Sequence, residues 1–249
     1  MKKFFAAIVL AVFALVGCDT GSSAEPNDDP AVESSSSLKS ESSSSVGDSQ
    51  SSSSKGPELA EESFTDARDG QTYKTLTVGT QTWMAENLNY ETANSYCYND
   101  NSANCTKYGR LYTWGAAKTA CPSGWHLPDT TEWKTLFSAV GGVEDEYYAK
   151  EWNGAGTALK STSGWSEYAG ESGNGTDALG FSALPAGLRY YNGYYYYEGH
   201  YAGFWGSTED STEDGSDCAY FVRLYYSYDY ADLNNNYKYY GFSVRCVMD

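Results

Sequence analysis

Apolar and polar positions trade places on both sides of Gly79 in "QTYKTLTVGTQTWMAENL", which predicts a β-hairpin from Tyr73 with its turn at that glycine. A polar stretch follows, "YCYNDNSANCTKYGRLYTW", read as a loop bracketed by Cys97 and Cys105. Helical spacing starts in "LYTWGAAKTAC", where Leu111, Trp114 and Ala117 share one face and Pro122 ends the run. It is clearest at Trp133, Leu136, Phe137 and Val140, spaced i, i+3, i+4 and i+7. Asp129 and Glu132 open that helix as a capping box, and Gly141 and Gly142 close it. Beyond Gly142 the helical period fades into "GFSALPAGLRYY", "YAGFWGST", "CAYFVRLYYS" and "YGFSVRCV". These are short aromatic and β-branched segments separated by Gly, Asn and Asp, the pattern of antiparallel strands. Two helices followed by a strand-rich C-terminal half predict an α+β domain.

The first 63 residues have a different character. "MKKFFAAIVLAVFALVGC" sets two lysines before an apolar run that is too short to span a bilayer, the form of a secretory signal over residues 1–17. The ending "LVGC" resembles the lipobox of bacterial lipoproteins. That resemblance implies cleavage before Cys18 and acylation of its thiol and new amino group, with several chains giving a durable membrane anchor. Residues 18–63 then read as a tether: positions 34–54 hold 14 serines in 21, and no aromatic residue falls between 19 and 63. Such a segment buries too little apolar surface to offset its ordering entropy. Its net charge of −8 extends it further.

The tether leaves residues 64–249 as one domain, long enough for a single core. All 24 tyrosines lie between Tyr73 and Tyr240. The domain's net charge is −11, and no basic patch offers itself to a phosphate backbone, so nucleic acid is not an expected partner.

Export permits disulfides. The domain has five cysteines, an odd number that leaves one thiol over. Cys97 and Cys105 close a nine-residue loop and are expected partners. Cys121 with Cys246 is the second expected pair, which makes Cys218 the free thiol. Disulfide use of Cys121 is preferred to its service as a nucleophile beside His126. With His200 the only other histidine, a zinc site of ordinary ligands is not expected.

The runs "YGRLYTWGAAKTACPSGWHLPDTTEWKTL", "LKSTSGW", "GFSALPAGLR", "FWGSTE" and "GFSVRCV" together resemble the Fibrobacter succinogenes major paralogous domain over nearly all of residues 64–249. That family occurs on exported proteins and lipoproteins and has no established activity. The spacing "W-x-x-A-x-x-x-C-x-x-G" and then "H-L-P-x-x-x-E-W" is similar to the C-type lectin-like fold and its formylglycine-generating-enzyme branch. This wider resemblance implies a bridge from the end of the first helix to the last strand, in support of Cys121–Cys246. It also puts the partner of Cys218 in "YYSYDYADLNNNYKYYG", which contains no cysteine. The lectin sugar–calcium motif is missing, since the one "EPN" lies at Glu25–Asn27 in the tether. The copper-binding cysteine pair of the enzymes is missing as well.

Three readings of function follow. The first is a surface-displayed, non-catalytic binding module for glycans or another envelope polymer. It is motivated by "RYYNGYYYYEGHY", in which strict alternation would leave about half of Tyr191, Tyr194, Tyr195, Tyr196, Tyr197 and Tyr201 exposed. A second cluster, Tyr225, Tyr226, Tyr228 and Tyr230, has the same character. The others are a structural envelope lipoprotein without a small ligand and an enzyme of the formylglycine-generating type, the least favoured. No cofactor is expected. Glu209, Asp210, Asp214 and Asp217 of "STEDSTEDGSD" offer oxygen ligands to calcium, but without EF-hand spacing, and a solvated acidic turn is preferred.

Overall fold

The computed structural model describes residues 62–148, 150–211 and 217–249. The signal segment, Cys18 and nearly all of the tether fall outside these residues.

The chain opens with β1 (Glu62–Thr65), β2 (Thr72–Val78) and β3 (Gln81–Met84). β2 and β3 form the expected hairpin, with Leu76 opposite Trp83 and Gly79 in the turn at φ +61°. The alternation slips along β2, because Tyr73 and Leu76 bury into different core clusters. β4 (Ser95–Tyr96) pairs with β5 (Leu111–Tyr112). Between them, where a loop was expected, stands α1 (Ser102–Tyr108). Asn101 caps it by accepting from the Ala103 N–H at 3.0 Å. Seven residues of one polar-looking stretch carry too little periodicity to announce a helix, and α1 turns Cys105 and Tyr108 inward.

α2 (Trp114–Ala120) is the expected first helix, shortened because Leu111 and Tyr112 are held extended in β5. After β6 (Trp125–His126) comes α3 (Thr130–Ala139). Its capping box is complete: Asp129 accepts from the N–H groups of Thr131 and Glu132 at 2.7 and 2.9 Å, and Glu132 accepts from the Asp129 N–H at 2.8 Å. Trp133, Leu136 and Phe137 are fully buried. β7 (Val143–Glu144) and β8 (Glu151–Asn153) lead to α4 (Ala155–Leu159), a one-turn helix that the sequence pattern misses. Two ribbons follow, β9 (Glu167–Tyr168) with β10 (Glu171–Ser172) and β11 (Leu188–Arg189) with β12 (Tyr195–Tyr196). The chain ends with β13 (Tyr201–Glu209), β14 (Cys218–Tyr225), β15 (Ala231–Tyr237) and β16 (Val247–Met248).

Two antiparallel five-stranded sheets organise the fold, in the orders β1-β2-β3-β16-β6 and β13-β14-β15-β8-β7. With four α-helices among the described residues, the class is α+β, as the sequence predicts. One core cluster joins Trp133 and Phe137 of α3 to Trp83, Phe181 and Phe204. A second joins Trp114 of α2 to Tyr201, Trp205, Phe221 and Phe242.

Arg245 is fully buried among these aromatic rings, without an ion pair at its guanidinium among the described residues. It donates to Asn87 Oδ1 at 2.7 Å, Ser182 O at 3.1 Å and Met84 O at 3.4 Å, and also to Phe181 O. Burial lowers its pKa to about 9, opposed by Glu86 and Asp177. It thus joins three segments distant in sequence.

The two expected bridges are present. Cys97–Cys105 staples the loop that carries α1, and Cys121–Cys246, with 5.9 Å between Cα atoms, ties the end of α2 to the segment entering β16. The expectation of a free thiol at Cys218 is corrected: Cys218 is fully buried at the start of β14 and disulfide-bonded. Neither of the two described bridges includes it. The expectation sought its partner in the following loop alone, and a disulfide is not confined to neighbours in sequence.

Candidate functional site: a tyrosine face beside an open depression

The β11–β12 ribbon is pinned at its tip by the Tyr190 N–H on Tyr194 O at 2.8 Å and the Gly193 N–H on Tyr190 O at 3.0 Å. Gly193 has φ +87°, a conformation that a side chain disfavours. This tip throws Tyr191 and Tyr194 outward, at 62% and 66% exposure. The strict alternation expected along this stretch does not hold. Only two rungs pair, Leu188 with Tyr196 and Arg189 with Tyr195, and Tyr197 at φ +66° breaks the pleat. Tyr195, Tyr196 and Tyr197 are each half-buried. The Tyr195 hydroxyl donates to Asp100, and its ring packs on Tyr98 at 5.3 Å.

Tyr201, expected as a ligand-facing ring, is corrected to a core residue. It is buried, packed on Phe242 at 6.2 Å, and its hydroxyl has no hydrogen-bond partner among the described residues.

Beside the tip runs the segment that leaves β15. Tyr239, 47% exposed, stacks on Tyr237 at 5.1 Å and meets the Tyr191 ring edge-on at 6.1 Å. Burial, then its tyrosine neighbours, hold the Tyr239 hydroxyl above its ordinary pKa, so it is a neutral donor at neutral pH. Tyr239 also forms one wall of an open depression of about 450 Å³, whose other walls are Asn94, Thr113, Asp217 and Lys238. Flat amphipathic rings therefore border amide, hydroxyl, ammonium and carboxylate groups. Arg189 lies behind the tip with its guanidinium 3.8 Å from the Tyr96 ring centroid.

The sequence reading missed Tyr239, Asn94, Thr113 and Lys238, and named Asp217 only as an oxygen ligand for calcium. The tyrosine doublet in "YKYYG" was an available signal. The residues around it come from four separate stretches that only the fold brings together.

The second tyrosine cluster is confirmed as a cluster. Tyr228 and Tyr230 stack at 4.7 Å, and Tyr168 meets Tyr226 edge-on at 5.6 Å. Lys160 shapes this turn by donating to the carbonyls of Tyr225, Tyr226 and Tyr228 at 3.2, 3.4 and 2.9 Å. Burial lowers the pKa of Lys160 to about 8.

Among the described residues, the acidic loop does not gather its carboxylates. Glu209 lies 3.6 Å from Lys118 and 3.7 Å from Lys238. Asp210 is buried and accepts from Asn235 Nδ2 at 2.6 Å, whereas Asp217 is exposed. Asp214 lies outside the described residues. No group of three or more His, Cys, Asp or Glu side chains suited to a metal occurs among the described residues.

His126 is half-exposed between Glu132 at 2.8 Å and Asp249 at 2.7 Å, so it is an ion-paired surface histidine. Cys121 is in its bridge and is not available as a nucleophile. A second cavity, of about 280 Å³, lies between residues 85–89, α1 and residues 180–184.

Fold and site define a disulfide-bridged α+β domain that displays tyrosines around an open depression. The family model described as the Fibrobacter succinogenes major domain matches residues 76–248, and the chain belongs to that family. No curated protein and no solved structure matches the chain.

Proposed function

We propose that the domain is a non-catalytic binding module for glycans or a related envelope polymer, held at a membrane by acyl chains on Cys18 and displayed on its serine-rich tether. The observation that carries the reading is the contact of Tyr191 with Tyr239 at the rim of the polar depression. Aromatic rings supply contact area at low entropic cost, and the polar walls supply directional hydrogen bonds for hydroxyl-rich ligands. Retention on insoluble polysaccharides, cellulose among them, and binding on a glycan array test it. The double variant Tyr191→Ala, Tyr239→Ala is expected to fold with wild-type stability and lose retention. Equal retention by variant and wild type, or no binding to any polymer, overturns the reading.

The anchor has its own test. Metabolic labelling with an alkyne fatty acid is expected to mark the chain and to be lost in Cys18→Ser. Peptide mapping without reduction is a second check, and a Cys18 thiol found in a disulfide would refute the anchor. The lectin-like plan is the finer reading of the fold. The Cys121–Cys246 bridge from the end of α2 to the segment entering β16 supports it, and comparison of an experimental structure with lectin-like domains tests it.

A further inference from the structure

The Cys97–Cys105 bridge has a cation set against it. Arg110 is buried, and its Nη1 lies 3.4 Å from Cys97 Sγ and 3.3 Å from Cys105 Sγ. The rest of the guanidinium is fixed in place. Nε donates to Ser95 Oγ at 3.1 Å, and Nη2 pairs with Glu91 at 2.9 Å. The Glu91 side chain is 83% exposed, so water screens its charge, while the sulfurs share the buried side of Arg110. The two sulfurs also differ in access, since Cys97 is partly exposed and Cys105 is buried in α1.

We propose that Cys97–Cys105 is a thiol–disulfide exchange site whose reactant is an exported dithiol reductant, with Arg110 holding the departing sulfur. One thiolate of the dithiol attacks the accessible Cys97 Sγ, forming a mixed disulfide. The Cys97–Cys105 bond breaks, and its electron pair leaves on Cys105 Sγ as a thiolate beside Arg110. The second thiol of the reductant, after losing its proton, attacks its own sulfur in the mixed disulfide and releases Cys97 as a thiolate. Two electrons have passed to the bridge, and the reductant departs as a disulfide.

The asymmetry favours this direction of attack. A leaving sulfur departs faster when its thiolate is stabilised, and a neighbouring guanidinium stabilises it. Burial of Cys105 works the other way, and Arg110 opposes it at 3.3 Å. Cys121–Cys246 is a different case, with Cys246 fully buried and the bridge tying distant parts of the fold.

Opening Cys97–Cys105 also releases the segment that holds the tyrosine ribbon from behind, through Asp100 on the Tyr195 hydroxyl and Tyr98 on the Tyr195 ring. On the glycan-binding reading, reduction then slackens the display of Tyr191 and Tyr194. The exchange chemistry itself stands apart from that reading.

The full chain, titrated with dithiothreitol redox buffers, acid-quenched, alkylated and peptide-mapped, tests the proposal without any ligand. Cys97–Cys105 is expected to be half-reduced at a reductant ratio at least tenfold lower than Cys121–Cys246, a gap of about 30 mV. In the reduced chain, Arg110→Gln is expected to raise the pH midpoint of Cys105 alkylation by about one pH unit or more, with partial restoration in Arg110→Lys. Reduction of both bridges at the same ratio in the wild type overturns the proposal. So does an alkylation midpoint that Arg110→Gln leaves unmoved while the circular dichroism melt shows a folded chain.

Discussion

Of the two described bridges, Cys121–Cys246 should cost this domain more to open than Cys97–Cys105. Cys121 and Cys246 are 125 positions apart, so their bridge closes two-thirds of the domain into one loop. In the chain-entropy relation a loop of that length removes about 5 kcal/mol of unfolded-state freedom at 25 °C, against about 2.6 kcal/mol for a nine-residue loop. For a domain of this size each kcal/mol moves the melting temperature by about 2–4 °C. The double variant Cys121→Ala, Cys246→Ala is therefore expected to melt about 10–20 °C below wild type, and Cys97→Ala, Cys105→Ala about 5–10 °C below. Part of the first drop is packing, because Cys246 is fully buried in the core beside Phe242 and Val244. Calorimetry at fixed pH reads wild type and both variants. If the long-loop variant melts no lower than the short-loop variant, the entropic reasoning fails for this chain.

Three more predictions follow from single side chains. Tyr201→Phe should leave stability in urea unchanged or raise it by up to about 1 kcal/mol, since it removes a buried hydroxyl that has no partner, whereas Tyr201→Ala should cost about 3–5 kcal/mol; a clear loss in the Phe variant would refute this. Arg245→Met should cost about 3–5 kcal/mol, because it strips the donors from the carbonyls of Met84, Phe181 and Ser182, and a neutral outcome in the same assay counts against the clamp. At His126, burial lowers the pKa but hydrogen bonds to Glu132 and Asp249 carry it above its ordinary value. Its stabilisation is thus complete below about pH 6.5 and lost as pH rises through the folded value. Melting temperature should fall across that window in wild type, and a profile unchanged in His126→Gln would refute the pairing.

What the sequence made legible was local chemistry of strong periodicity. The Asp129–Glu132 cap, the Trp133–Phe137 face and the Gly79 hairpin each depend on residues within a turn or two, and each stands as read. Short elements escaped. Five residues in α4 and seven in α1 are held by tertiary packing more than by propensity. β15 escaped for a different reason, since "ADLNNNY" is poor in strand formers. Ala231 and Leu233 face a core, and Asn235 bonds to Asp210. The tyrosine-rich stretch was found, but its inward and outward rings were not. The parity rule needs a continuous ladder, and this ribbon has two rungs.

β16 lies between β3 and β6, with Val247 opposite both Trp83 and His126. During synthesis, then, this interior strand is made after the sheet's other four. Until those residues emerge, β3 and β6 each keep an open edge, ready to pair with another chain. Closing so distant a contact late in the search slows folding, because loop entropy is lost before the contact repays it. A chain cut before Cys246 would lose an interior strand of the sheet and the Cys121–Cys246 bridge together, so one short segment carries both the closing of two strand edges and the long covalent tie.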